Sequence, residues 1–179
     1  MMVWLVFFGI CFTVLLITAI DTQSNGFFCQ VRIGKHGKKF TIYKLRTLHS
    51  KTHQLSSWGK FLRKSKLDEL PQLLNIIKGD MTLVGPRPDV PGYADLLIGE
   101  DREILKLKPG ITGPASIKYR DEEALLASVP NPLEYNDTII YPDKVRINLL
   151  YLKKKSFLLD LKICYYTFAS NEIAIEALL

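Results

Sequence analysis

The chain begins with an unbroken apolar run, Met1 to Ile20, which carries no charge and is long enough to cross a bilayer as a helix. No basic segment precedes the run and no convincing small-residue cleavage site stands before Asp21, so a removable leader is disfavoured. After a turn-rich Asp21 to Gly26, Phe27 to Arg32 and Phe40 to Leu45 alternate apolar and polar positions. This predicts two short strands joined by a turn at Gly34-Lys35-His36-Gly37. Lys60 to Lys66 predicts a short basic amphipathic helix, with Phe61 and Leu62 apolar, suited to a membrane interface. Beyond it Leu70, Leu73, Leu74, Ile76 and Ile77 recur at helical spacing with Gln72, Asn75 and Lys78 between them, which predicts an amphipathic helix with one buried face. Gly79 closes that helix, and Pro71 requires a start near Asp68, because proline is tolerated only in a first turn.

Downstream, Tyr93 to Lys108 reads as a helix with Leu96, Leu97, Ile104, Leu105 and Leu107 available for packing, and Pro109 to Gly113 reads as a tight turn. Asp121 to Pro142 is polar and interrupted by prolines. Lys144 to Leu152 and Ser156 to Phe168 then predict two final helices, the second with Phe157, Leu158, Leu161, Tyr165 and Phe168 on one apolar face. The expected fold class is α+β, mainly helical with a short β-hairpin. The expected organisation is a membrane helix over residues 1–20 and one further domain over residues 21–179.

Charge changes this picture. The net charge is +6, and between Asp21 and Asp68 there is no acidic residue, while Arg32, Lys35, Lys38, Lys39, Lys44, Arg46, Lys51, Lys60, Arg63, Lys64 and Lys66 all fall there. Such a run attracts anions and, following a membrane segment, places its own side in the cytoplasm. A membrane-anchored nucleic-acid-binding module would also explain the charge, but no known pattern of aromatic residues interleaves with the basic ones, so nucleic acid is not an expected partner. Cys11, Cys29 and Cys164 are odd in number and lack metal-ligand spacing, which reads as reduced thiols acting as small apolar fillers. His49 and His53 sit in a polar loop with no third ligand and read as exposed loop histidines.

Asp68 and Glu69 are the candidate chemistry. Capping of the following helix is the plain account of such a pair. Its context argues for more: just beyond, Gly85-Pro86-Arg87-Pro88 mounts a guanidinium between two prolines, a stiff holder for a phosphate ligand. Carboxylates beside fixed cations, on a chain with an apolar end, suggest phosphate chemistry on a lipid.

The run LRKSKLDELPQLLNIIKGDMTLVGPRP, with RIGKHGKKFTIYKLRT before it and KPGITGPASIK after it, resembles the bacterial sugar transferases that are monotopic phosphoglycosyl transferases. The resemblance extends from about Asp21 to the C-terminal helix, with the motifs in the family's order. It implies transfer of a sugar phosphate from a UDP-sugar to polyprenyl (undecaprenyl) phosphate with release of UMP, initiating an envelope polysaccharide or glycan. It further implies Asp68 as nucleophile, Glu69 as base or metal support, Mg2+ held by Asp68 and Glu69, Arg87 and Arg63 as phosphate ligands, and Lys44 and Arg46 as ligands of the nucleotide phosphates or of the lipid surface. The implied location is the cytoplasmic face of a bacterial inner membrane, anionic on that side, with the first helix entering and leaving on the same face. Whether two copies pair is left open. The Ser-Pro pair that breaks this helix in family members has no counterpart: Phe8 and Gly9 stand at its spacing. That departure leaves either a late start or an abbreviated membrane element, and keeps an inactive scaffold of a polysaccharide-assembly complex as the alternative. RDEE and YPDK replace a longer motif of other branches, and the resemblance suggests that they bear on the sugar accepted.

Overall fold

The structure, a computed structural model, describes residues 2–169 and 175–179, with side chains in the first helix described from Phe12 onward. The chain divides into two compact units, residues 1–31 with 41–78 and residues 32–40 with 79–179.

In the first unit, helix α1 (Met2–Thr22) is assigned without interruption, so no break appears at Phe8-Gly9. Among the described residues no helix is long and apolar enough to cross a membrane, so the expected membrane segment is not established by the fold. The end of α1 is tied down by polar contacts. Trp58 Nε1 donates to Thr18 Oγ1 (3.0 Å), Ser56 Oγ donates to Asp21 Oδ2 (2.6 Å), and Ser50 N donates to the Thr22 carbonyl (2.9 Å). Strands β1 (Phe27–Ile33) and β2 (Lys39–Leu45) form the expected antiparallel hairpin, turning through His36 and Gly37 at φ 60° and 76°. Helix α2 (Ser57–Ser65) is capped by Ser56, whose side chain accepts from Gly59 N, and ends where Lys66 turns left-handed (φ 59°). Only Leu62 of its two interior apolar residues is buried; Phe61 is exposed, because consecutive helix positions point about 100° apart.

The segment after Lys66 departs from expectation. Instead of one amphipathic helix, Leu67–Gln72 is a 3-10 turn containing Pro71, followed by a five-residue helix α3 (Leu73–Ile77). The buried face is the polar one. Asp68, Glu69, Gln72 and Asn75 are buried, whereas Leu70, Leu73, Leu74 and Ile77 are exposed, Ile77 at 81%. Asn75 explains the inversion: its Nδ2 donates to the Thr41 carbonyl (2.7 Å) and its Oδ1 accepts from Tyr43 N (3.3 Å), clamping this face onto β2.

Among its described residues the second unit holds three apolar clusters, around Ile33, Ile104 and Val145, around Val84, Tyr151 and Ile163, and around Ala115, Ile147 and Ile175. Pro109 to Gly113 is more than a turn: β4 (Gly110–Thr112) pairs in parallel with β3 (Thr82–Val84), Thr82 opposite Gly110 and Val84 opposite Thr112. The predicted helix over 93–108 is absent. Gly92 and Gly99 turn left-handed (φ 102° and 57°), and only two short 3-10 turns form, Ala94–Leu96 and Asp101–Lys106. Helices α4 (Pro114–Lys118), α5 (Glu122–Ala127) and α6 (Pro132–Tyr135) precede α7 (Tyr141–Lys154), which starts earlier than predicted with Pro142 in its first turn. RDEE and YPDK meet through Lys144, whose Nζ lies 2.6 Å from Glu122 Oε2, while Asp143 binds Lys118 and Arg146. These charges are committed to one another.

Helix α8 (Phe157–Phe168), capped by Ser156, buries Leu159 and Ile163. The apolar face of Phe157, Leu158, Leu161, Tyr165 and Phe168 is exposed. A last helix, α9 (Ile175–Leu178), closes the described chain. Cys29 and Cys164 are free thiols, Cys29 exposed rather than filling a core; the Cys11 side chain lies outside the described residues.

One acid in this unit makes a prediction. Burial pushes Asp89 up from 3.8 to about 6, although Lys144 and Arg32 pull it down. The folded chain therefore keeps a proton across pH 4–6 that the unfolded chain releases, and stability falls as pH rises through that window. Asp89→Asn is expected to flatten this dependence and to raise stability above pH 6 by on the order of 2–3 kcal/mol, read from urea melts at pH 4.5 and 7.5.

Candidate active site

Five of the six predicted site residues fall in the first unit. The 3-10 turn sets Asp68 and Glu69 in its first turn, and nothing in the side chain of Lys66 caps it. A turn of six residues carries little dipole, so the expected help from a helix N-terminus gives way to side-chain cations. Lys44, from β2, donates to Glu69 Oε1 at 2.8 Å, and both side chains are largely buried. A buried ion pair of this kind compensates each charge for lost hydration; removing one member strands the other, at a cost of about 3–5 kcal/mol.

Asp68 is treated differently from its neighbour. Its Oδ1 is buried without a hydrogen-bond partner among the described residues. Burial, and then the Glu69 carboxylate, push the Asp68 carboxyl above its ordinary value, while Lys44, Lys66 and Arg63 pull it back. A carboxylate poorly solvated yet held near cations is a stronger nucleophile than one in water.

Arg63, whose charge acts on Asp68, and Arg46 are the other predicted cations of this unit. Gly59 lets α2 lie directly on the Thr47 carbonyl, which a Cβ would strike, and Arg63 one turn later donates from Nε to Thr47 Oγ1 (3.0 Å). Arg46 Nε is buried without a partner among the described residues, and its guanidinium carbon stands 6.0 Å from the centre of the Phe28 ring. His49 is spent on its own turn, Nδ1 accepting from Lys51 N (3.3 Å) and Thr52 N (3.2 Å).

Arg87 belongs to the second unit, where it is exposed and its neighbours are pinned. Gly110 N donates to the Pro86 carbonyl (2.8 Å), Arg32 Nη1 to the Pro88 carbonyl (3.0 Å), and Ile33 N to the Asp89 carbonyl (2.9 Å). The guanidinium is thus carried on a fixed backbone, as its two flanking prolines predict.

Sequence reasoning missed Gln72 and Asn75, having placed them on the solvent side. Gln72 is 2% exposed, with Nε2 buried and unpartnered among the described residues. Burying an amide N–H in that way costs about 1–3 kcal/mol. The signal was present as polar residues at every third position, Glu69, Gln72 and Asn75, which share one edge when a turn is 3-10.

Comparison with known proteins adds the chemistry of relatives. Residues 1–171 match the family model described as bacterial sugar transferase. The chain is 37% identical over 168 residues to the uncharacterized sugar transferase EpsL of Bacillus subtilis (strain 168), covering 88% of this chain and 75% of that protein. It is 36% identical over 169 residues to the UDP-glucose:undecaprenyl-phosphate glucose-1-phosphate transferase of Klebsiella pneumoniae, covering 84% of this chain and 34% of that protein. A third relative, the UDP-N-acetylgalactosamine-undecaprenyl-phosphate N-acetylgalactosaminephosphotransferase of Aeromonas hydrophila, is 32% identical over 168 residues, or 83% of this chain and 36% of that protein. The chain therefore spans three quarters of the first relative and about a third of the other two.

Proposed function

The chain belongs to the bacterial sugar transferase family, and from that premise we propose that it moves a sugar 1-phosphate from a UDP-sugar to polyprenyl phosphate, releasing UMP. The observation that carries the reading is Asp68: a buried carboxylate with an unpartnered oxygen, beside an ion-paired carboxylate and within the influence of three cations. An Asp68 carboxylate oxygen attacks the β-phosphorus, a P–O bond to the enzyme forms, and the bond to the bridging oxygen breaks with that oxygen leaving on UMP. A phosphate oxygen of the lipid then attacks the same phosphorus and returns Asp68 to a free carboxylate. Lys44 orients the Glu69 carboxyl group through their 2.8 Å contact, and Arg63 and Arg46 offset the charge of the incoming diphosphate. The assignment of Arg87 as a further phosphate ligand rests on its motif.

The donor set suits a magnesium ion. Asp68 Oδ1 is available and Glu69 is adjacent, and magnesium takes one or two carboxylates together with substrate phosphate oxygens rather than an all-protein cage. When bound, the ion supplies charge neutralisation on the diphosphate.

The reading places the chain on the cytoplasmic face of a bacterial inner membrane, at the start of an envelope polysaccharide. The exposed Leu70, Leu73, Leu74 and Ile77, with Phe61 on α2, present apolar side chains that a lipid surface would cover. Charged replacements there, Leu73→Glu with Ile77→Glu, are expected to lower co-sedimentation with anionic vesicles at least ~10-fold while leaving the fold intact, since both positions are already exposed. The reaction itself is tested by incubating the chain with polyprenyl phosphate, magnesium and a panel of UDP-sugars. Lipid-dependent UMP release is the expected result; retained UDP-sugar binding without release would instead favour the inactive scaffold.

A further inference from the structure

We propose that Gln72 is a catalytic residue of this site, its carboxamide donating an N–H to a non-bridging oxygen on the phosphorus that Asp68 attacks. The proposal rests on the phosphoryl-transfer reading above and adds a neutral oxyanion ligand to it.

The seam Glu69–Gln72–Asn75 carries the argument. Its two ends are fully engaged with β2: Glu69 binds Lys44 at 2.8 Å, and Asn75 binds both the Thr41 carbonyl and Tyr43 N. Gln72 sits between them on the same edge, equally buried, yet its Nε2 binds nothing among the described residues. One turn earlier, Asp68 Oδ1 is in the same condition. A buried donor and a buried acceptor on one short turn, left unsatisfied and not paired with each other, are a poor solution for stability and a good one for a ligand. The acceptor suits an electrophile and its counter-ion, whereas the donor suits an oxygen that gains negative charge. The remaining buried orphan atoms of this unit tell the same story, since Arg46 Nε is also a donor without an acceptor. Ser116, Tyr141 and Asn148 carry such atoms in the second unit.

A carboxamide has a particular use here. Unlike a further lysine or arginine, it stabilises the oxyanion without competing for the Asp68 carboxylate as an ion-pair partner. Its backbone is carried between Glu69 and Asn75, both bonded to β2, which limits the reorganisation needed as the phosphorus passes through its transition state.

Gln72→Met, near in shape but without a donor, separates the roles. The expected result is a fall in kcat/KM of about 10²-fold, most of it in kcat. The melting temperature should be unchanged or higher, because an orphan donor has been replaced by an apolar group. Binding of UDP with magnesium, followed by calorimetry, should weaken about tenfold, one hydrogen bond to an anion. A wild-type chain that binds UDP but releases no UMP, with weaker UDP binding in Gln72→Met, would leave the contact standing while the transfer reading fails. Wild-type turnover with Gln72→Met within threefold in kcat/KM would overturn the contact. So would a Gln72→Met or Gln72→Leu chain that melts early and loses activity only in proportion, because the carboxamide would then be structural.

Discussion

Asp68→Asn is expected to abolish UMP release, by at least ~10³-fold, which corresponds to about 4 kcal/mol or more of barrier. The substitution keeps the shape of the side chain and removes only the charge that the proposed mechanism directs at phosphorus. It should therefore leave UDP-sugar binding largely in place and block the covalent phosphosugar adduct, which intact-mass measurement detects in the wild type without lipid acceptor. Stability should move the other way. Because burial and Glu69 raise the Asp68 pKa, the folded chain disfavours its ionised form, and stability is lost as pH rises through the interval between the unfolded and folded values. The neutral amide escapes this, so the melting temperature of Asp68→Asn at pH 7 should match or exceed that of the wild type. The same shift predicts that wild-type turnover falls on acidification at a higher pH than an ordinary aspartate would dictate, with an apparent pKa that belongs to the Asp68–Glu69 pair. A variant that turns over at near wild-type rate would remove Asp68 from the chemistry.

Gly110→Ala is expected to be the most damaging single methyl group in the second unit. A Cβ there would fall against Gly85 N and the Thr112 carbonyl oxygen, both backbone atoms that cannot swing aside. Relief requires β3 and β4 to separate, which breaks the bonds from Gly85 N to the Thr112 carbonyl (2.8 Å) and from Gly110 N to the Pro86 carbonyl (2.8 Å). Two backbone hydrogen bonds and the packing around Val84 make a loss of about 3 kcal/mol or more, and for a chain of this size about 6–12 °C in melting temperature. The same bonds fix the backbone on which Arg87, the proposed phosphate ligand, stands. Gly99→Ala is the control: nothing lies within 4 Å of its Cβ, and only the left-handed φ of 57° opposes it, so a loss near 1 kcal/mol is expected. Equal damage from the two substitutions would mean that the glycine contact between β3 and β4 is not what holds this region.

The sequence by itself determined the hairpin within one residue at each strand end, the end of α2 to within one residue, the end of α8 at Phe168 and the turn at Gly79. It also supplied the adjacency of Asp68 and Glu69, and the motifs that tie the chain to its family. All of these are local: turn residues, caps, alternation and short spacings act within a few positions, and the chain carries them wherever it folds. Tertiary structure alone decided which side of residues 65–78 is buried. Periodicity reports that Leu70, Leu73, Leu74 and Ile77 share a face; it does not report what that face meets. Asn75 and Lys44, 31 positions apart in sequence, turned the polar edge inward by bonding across to β2 and to Glu69. The same gap separates Pro109 to Gly113 as a turn from β4 as a strand, whose partner lies some 28 residues earlier. In each case the deciding bond joins residues that no local window contains, and the unpartnered carboxamide of Gln72 is visible only once those bonds have been made.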